Sequence, residues 1–75
     1  MRKTKILLIE DNRILRDGIK ALIDKQSDLR VIGSTAGNHD TLDRVRDLKP
    51  HIVLVDLGLR SANGVQVVQT LARKL

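Results

Sequence analysis

The chain has 75 residues, enough for one domain at most and close to the lower limit at which an unassisted core holds a fold. It has no cysteine, which excludes disulfides and thiolate metal sites and suits a reducing compartment. It has no Phe, Tyr or Trp either, so the core must be aliphatic and, despite a formal charge of +5, no platform exists for stacking single-stranded nucleic acid.

Basic residues such as Arg13, Arg16, Lys20, Arg44 and Arg46 are dispersed among Asp residues in helix-like segments. That is the pattern of solvated faces rather than of a cationic stripe, so no direct nucleic-acid contact by this chain is expected. Apolar runs such as Ile6 to Ile9 are far too short to span a bilayer. Glu10 and Asp11 follow that run at once, which does not suit a signal peptide. The expectation is a soluble cytoplasmic protein with no membrane partner.

In chain order, Lys5 to Ile9 reads as a strand apolar on both faces, as inside a parallel sheet covered by helices. From Arg13 to about residue 26, Leu15, Ile19, Leu22 and Ile23 recur at helical spacing, with Ile14 widening the stripe. Asn12 or Asp11 is the expected N-cap, and Gly18 is expected to let this helix approach the sheet closely. Leu29 to Gly33 is a shorter strand carrying Arg30, suited to an edge. Asn38 to about Leu48 forms a second helix on Leu42, Val45 and Leu48, with Asn38 as cap and Asp40 in the first turn. Pro50 stops it and biases Lys49 towards an extended conformation. His51 to Val55 is a third strand, again apolar throughout. From Val65 onward, Val65, Val68, Leu71, Ala72 and Leu75 mark a third helix. The order β-α-β-α-β-α specifies parallel strands joined by right-handed crossovers, an open α/β sheet.

The placement of the acids is the informative part. Glu10 and Asp11 directly follow the first strand, and Asp56 directly follows the third. In a flavodoxin-like sheet, strands one and three are neighbours, and their carboxyl ends border the switch point where ligands bind. Acids are common after strands simply because loops are exposed, and any one of these alone would mean little. Three converging on one crevice repel one another and raise each other's proton affinity, for which a divalent cation is the natural remedy. Oxygen ligands favour Mg²⁺, which can also hold a phosphoryl oxygen. Asp56 would then be a nucleophile that forms an acyl phosphate.

The segments Lys5 to Asn12, Leu15 to Ile23, Val31 to Asn38 and above all Lys49 to Leu57, followed by Asn63-Gly64, resemble the CheY-like receiver domain of two-component response regulators. The likeness is greatest to receivers joined to LuxR-type helix-turn-helix output domains, and it covers essentially all of residues 1–75. The acid pair, the Pro before strand three, the strand-end Asp and the Gly eight residues later all keep the family's spacing. The resemblance implies a flavodoxin-like sheet of order 2-1-3, here the β1-to-α3 part of a receiver. It implies that Asp56 is the phosphoacceptor and that Mg²⁺ is held by Asp11, Asp56 and the Gly58 carbonyl, with Glu10 helping directly or through water. It also implies a sensor histidine kinase as phosphoryl donor and a parent that regulates transcription.

The chain departs from the family pattern at several places. Leu59 and Arg60 stand where receivers usually have Met-Pro, and His39 stands where they have Gly. The Ser or Thr after strand four, the Lys after strand five and the switching surface have no counterpart. Strand three would then be a bare apolar edge, and the expectation is either homo-oligomers formed through it or a fragment cut from a longer protein. The alternative function is a receiver-derived association module that is not productively phosphorylated. A signalling module is expected rather than an enzyme. A haloacid-dehalogenase-type phosphotransferase would need an acid where Gly58 stands, and no Gly-rich turn after strand one supports a dinucleotide site.

Overall fold

A continuous apolar run suits a strand covered on both faces, and the first strand shows this most fully. In the computed structural model, which describes residues 3–37, 41–56 and 64–74, β1 (Thr4–Ile9) is the central strand. Leu7 and Ile9 are fully buried and Leu8 nearly so. It is flanked by β2 (Leu29–Thr35) and β3 (Ile52–Val55), both parallel to it, in the order β2-β1-β3. This is the expected order 2-1-3, with β2 at an edge. The helices are α1 (Arg13–Asp24), α2 (Thr41–Leu48) and α3 (Gly64–Lys74).

Side chains alternate across a strand, and the two faces of the sheet are filled very differently. Leu7 and Ile9 pack with Val45 of α2 and Leu71 of α3, with Leu42, Leu48, Val53 and Val55 around them. Leu8 faces the other way, towards Leu15 and Ile19 of α1. No residue of α1 is buried. Leu15 and Leu22 remain 53% and 65% exposed, and Ile14, expected to widen the buried stripe, is 84% exposed. Helical periodicity shows that α1 has an apolar face; it does not show how much of that face is covered.

Local chemistry sets the ends of the elements. Asn12, extended at φ −86 and ψ 114, caps α1 by accepting the Leu15 N–H on Oδ1 at 3.1 Å, which settles the choice of cap against Asp11. At the other end, Asp24 accepts the Val31 N–H at 3.0 Å and pairs with Lys20 at 2.9 Å. The Val31 hydrogen bond, and after it Lys20, hold the Asp24 carboxyl below its ordinary value. A carboxylate thus occupies a backbone donor of edge strand β2. Asn38, His39 and Asp40 lie outside the described residues.

Two expectations about backbone are corrected. Lys49 is not extended: it has φ 48, the left-handed conformation that ends helices, and its N–H donates to Val45 O at 3.0 Å. The need to turn the chain out of α2 prevails over the bias from Pro50, although a non-Gly residue there costs roughly 1–2 kcal/mol. Gly18 does not mediate close packing: it is exposed, and a Cβ there would meet nothing within 4 Å.

The tight glycine is Gly33 in β2. A Cβ there would lie 2.8 Å from Leu48 Cδ1, 3.0 Å from Arg44 Nη2 and 3.4 Å from Leu7 Cδ1. The β1–β2 register also shifts here, between Ile6 and Leu7, leaving Ile32 without a partner. Gly33→Ala should be accommodated within about 1 kcal/mol, because both nearest atoms end flexible side chains. Gly33→Val should cost about 1–3 kcal/mol by forcing α2 off the sheet. Urea denaturation of the two variants checks the order.

Candidate metal centre

The register of β1 against β3 builds the site. Ile6 pairs with Ile52 and Ile9 with Val55, so the two strands end in step. The next residues are Glu10 and Asp56, and the Asp56 N–H donates to Ile9 O at 3.0 Å, carrying the pairing one step further. On the other side, the Glu10 N–H donates to Thr35 O at 2.9 Å. At the opposite end, His51 fixes the register by two bonds to Lys5: its N–H donates to Lys5 O, and its Nδ1 accepts the Lys5 N–H, both at 2.9 Å.

Glu10, Asp11 and Asp56 each bring a carboxylate oxygen into one cluster, with these oxygens within 4.8 Å of one another. Glu10 is almost wholly buried, at 2% exposure, while Asp11 and Asp56 are half-buried. The Glu10 carboxyl is raised above its ordinary value, first by its hydrogen bond with Asp56 and then by burial. Repulsion from Asp56 and Asp11 adds to the rise, and the Asn12 N–H, donating to Oε1 at 3.1 Å, opposes it. The positive end of α1 begins at this turn and favours the charged forms.

The donor set fits a hard divalent cation. Six oxygens around Mg²⁺ at about 2.1 Å lie roughly 3 Å apart when adjacent and about 4.2 Å apart when opposite. The observed oxygens, within 4.8 Å of one another, lie close to that size, and a dication would remove the repulsion that raises Glu10. Beside the carboxylates runs an apolar groove of ≈ 330 Å³ lined by Leu8, Leu15, Ile19, Leu54 and Val55, with Glu10 and Asp56 at its acidic end.

The structure therefore brings together the three acids named from sequence. Gly58, Leu59, Arg60 and Asn63 lie outside the described residues. Two contributors were not foreseen. Asn12 donates to Glu10 Oε1, and Arg16 Nη1 donates to the Glu10 carbonyl at 3.2 Å. Arg16 could have been suspected from its place one turn into the helix that follows the acids.

Comparison with known proteins agrees with this architecture. The family model described as the response regulator receiver domain matches residues 6–75. Response regulator protein VraR of Staphylococcus saprophyticus and that of Staphylococcus aureus are each 30% identical over 71 residues, covering 95% of this chain and 34% of the relative. The chain thus spans about one third of the length of these relatives. Among solved structures, the response regulator domain of Thermotoga maritima CheB superposes with TM-score 0.87 at 25% identity, over 97% of this chain and 55% of that one. A LuxR-family two-component response regulator from Aurantimonas sp. SI85-9A1 gives TM-score 0.87 at 25% identity, over 96% and 51%. With the β2-β1-β3 sheet and an acid at each facing strand end, the chain belongs to the response regulator receiver domain family.

Proposed function

We propose that this receiver accepts a phosphoryl group on Asp56 in a Mg²⁺-dependent reaction, with a sensor histidine kinase as donor. The observation that carries the reading is the convergence of Glu10, Asp11 and Asp56 at two strand ends held in step. A carboxylate oxygen of Asp56 attacks phosphorus, the bond to the donor nitrogen breaks, and the proton balance is completed on the departing imidazole. Glu10 and Asp11 lie beside the nucleophile and would serve as metal ligands rather than proton donors when the cation is bound. Glu10, Asp11 and Asp56 would hold the Mg²⁺, with the Gly58 carbonyl as the further ligand that the family resemblance implies, and the ion would offset the charge of the carboxylates and of the transferring group. The chain is an acceptor in signalling rather than an enzyme with its own substrate, working in the cytoplasm within a parent that controls transcription. None of the described helices is long and apolar enough to cross a membrane.

Beryllofluoride with Mg²⁺ mimics an aspartyl phosphate, and binding followed by NMR tests the site. Saturable shifts at residues 10–12 and 56, lost in Asp56→Asn, are expected. A folded wild-type sample that shows none would overturn the assignment of Asp56.

A second reading, association without phosphorylation, is favoured by the open α1 side of the sheet. There Leu15 and Leu22 of α1, and Ile52 and Leu54 of β3, are all more than 40% exposed. Among the described strands β3 pairs with β1 alone. Under this reading the chain forms homo-oligomers through β3, without contact to nucleic acid. Sedimentation over a range of concentrations checks it, and a monodisperse monomer would sink it.

A further inference from the structure

The hydrogen bonds around the Glu10–Asn12 turn pass through a side chain that the proposed chemistry does not use. Arg16 is the fourth residue of α1, and helical side chains lean towards the N-terminus of their own helix. Its Nη1 thereby reaches back across the turn and donates to the Glu10 carbonyl at 3.2 Å. Its own N–H donates to the Asn12 carbonyl at 2.8 Å. Asn12 in turn donates its N–H to Glu10 Oε1 at 3.1 Å. On the far side the Glu10 N–H is taken by Thr35 of β2. The peptide that carries the buried carboxylate is thus held between a strand and a guanidinium.

Arg16 is also a costly residue for this place. The first turn of a helix disfavours cations, and that of α1 contains no acid of its own. Its side chain is half-buried, unlike that of Arg13 beside it, whose approach to Asp17 at 3.8 Å is exposed. An arginine that leaves solvent to bind one particular carbonyl is held there by what that carbonyl belongs to.

We propose that Arg16 is a positioning residue of the metal centre. It locks the Glu10-Asp11-Asn12 turn so that the carboxylates of Glu10 and Asp11 face Asp56. This rests on the Mg²⁺ reading above. Two effects of removing it have opposite signs, which makes the idea testable. Loss of a nearby positive charge alone strengthens binding of a dication. Loss of positioning weakens it, as removal of the groups that orient metal ligands commonly does.

The experiment is an NMR titration with Mg²⁺ of the wild type, Arg16→Ala and Arg16→Lys, with Asn12 amide exchange measured in metal-free samples. Arg16→Ala should bind Mg²⁺ about ten-fold more weakly and lose Asn12 amide protection, and Arg16→Lys, which can still donate to the carbonyl, should come within about three-fold of wild type. Equal or tighter binding by Arg16→Ala overturns the proposal, because charge alone would then explain the residue. Weaker binding that Lys does not restore also overturns it. A wild type that binds no Mg²⁺ overturns the metal reading itself, and the role of Arg16 with it.

Discussion

Asp56→Asn is expected to stabilise the metal-free protein and to abolish its stabilisation by Mg²⁺. The wild-type crevice holds three carboxylates in close contact, one of them almost wholly buried. Removing the Asp56 charge removes a repulsion worth on the order of 1 kcal/mol or more at this spacing. It also removes a metal ligand. At a Mg²⁺ concentration ten times its dissociation constant the wild type gains about 1.4 kcal/mol, and the variant should gain nothing. Thermal unfolding of both proteins, with and without Mg²⁺, gives the four values needed. Equal Mg²⁺ stabilisation of the two would rule out Asp56 as a ligand.

The same substitution should change the pH dependence. Glu10 binds its proton more tightly in the folded than in the unfolded chain, chiefly because of Asp56. Its contribution is fully present below the ordinary value of 4.5 and is lost as pH rises through the higher folded value. Asp24 acts in the opposite sense, since its folded value lies below the ordinary 3.8 and its contribution is lost only as pH falls through that lower value. Metal-free wild type should therefore lose stability as pH rises above 4.5, and Asp56→Asn should flatten that decline.

Leu7→Ala should leave the chain largely unfolded. Leu7 lies at the centre of the middle strand with no exposed surface, among Ile9, Val45 and Leu71. Truncation at such sites costs about 2–5 kcal/mol. A domain of this size holds only about 4–11 kcal/mol in total. The α1 side, where no helical residue is buried, places this chain at the low end. Ile14→Ala is the matched control: at 84% exposure its effect should stay within about 0.5 kcal/mol. Circular dichroism with denaturant distinguishes the two, and similar midpoints would mean that the core is not where the structure puts it.

Much of this was legible in the residues. Unbroken apolar runs marked β1 and β3 as strands and the acids at their ends marked the crevice, but only β1 is covered on both faces, since Ile52 and Leu54 of β3 are 47% and 43% exposed. What sequence could not supply was the identity of facing groups. A glycine was expected to matter in α1, yet Gly18 faces open space while Gly33 lies under Leu48 and Arg44. Nothing in the local pattern of β2 names those partners. Pro50 correctly marked the end of α2, but the conformation of Lys49 was set by how the helix had to turn. The capping role of Asn12 was within reach, whereas its second bond, to the Glu10 carboxylate, depends on where β1 ends.

The in-step ending of β1 and β3 also bears on which changes this chain can tolerate through descent. Substitutions within either strand alter size or polarity at one place. Adding or deleting a single residue between Lys5 and Ile9, or between Ile52 and Val55, shifts every later side chain to the opposite face. The carboxylate at that strand's end would then point away from its counterpart on the other, with the composition hardly altered. Length in these two segments should therefore be far more strictly kept than the choice among Ile, Leu and Val that fills them.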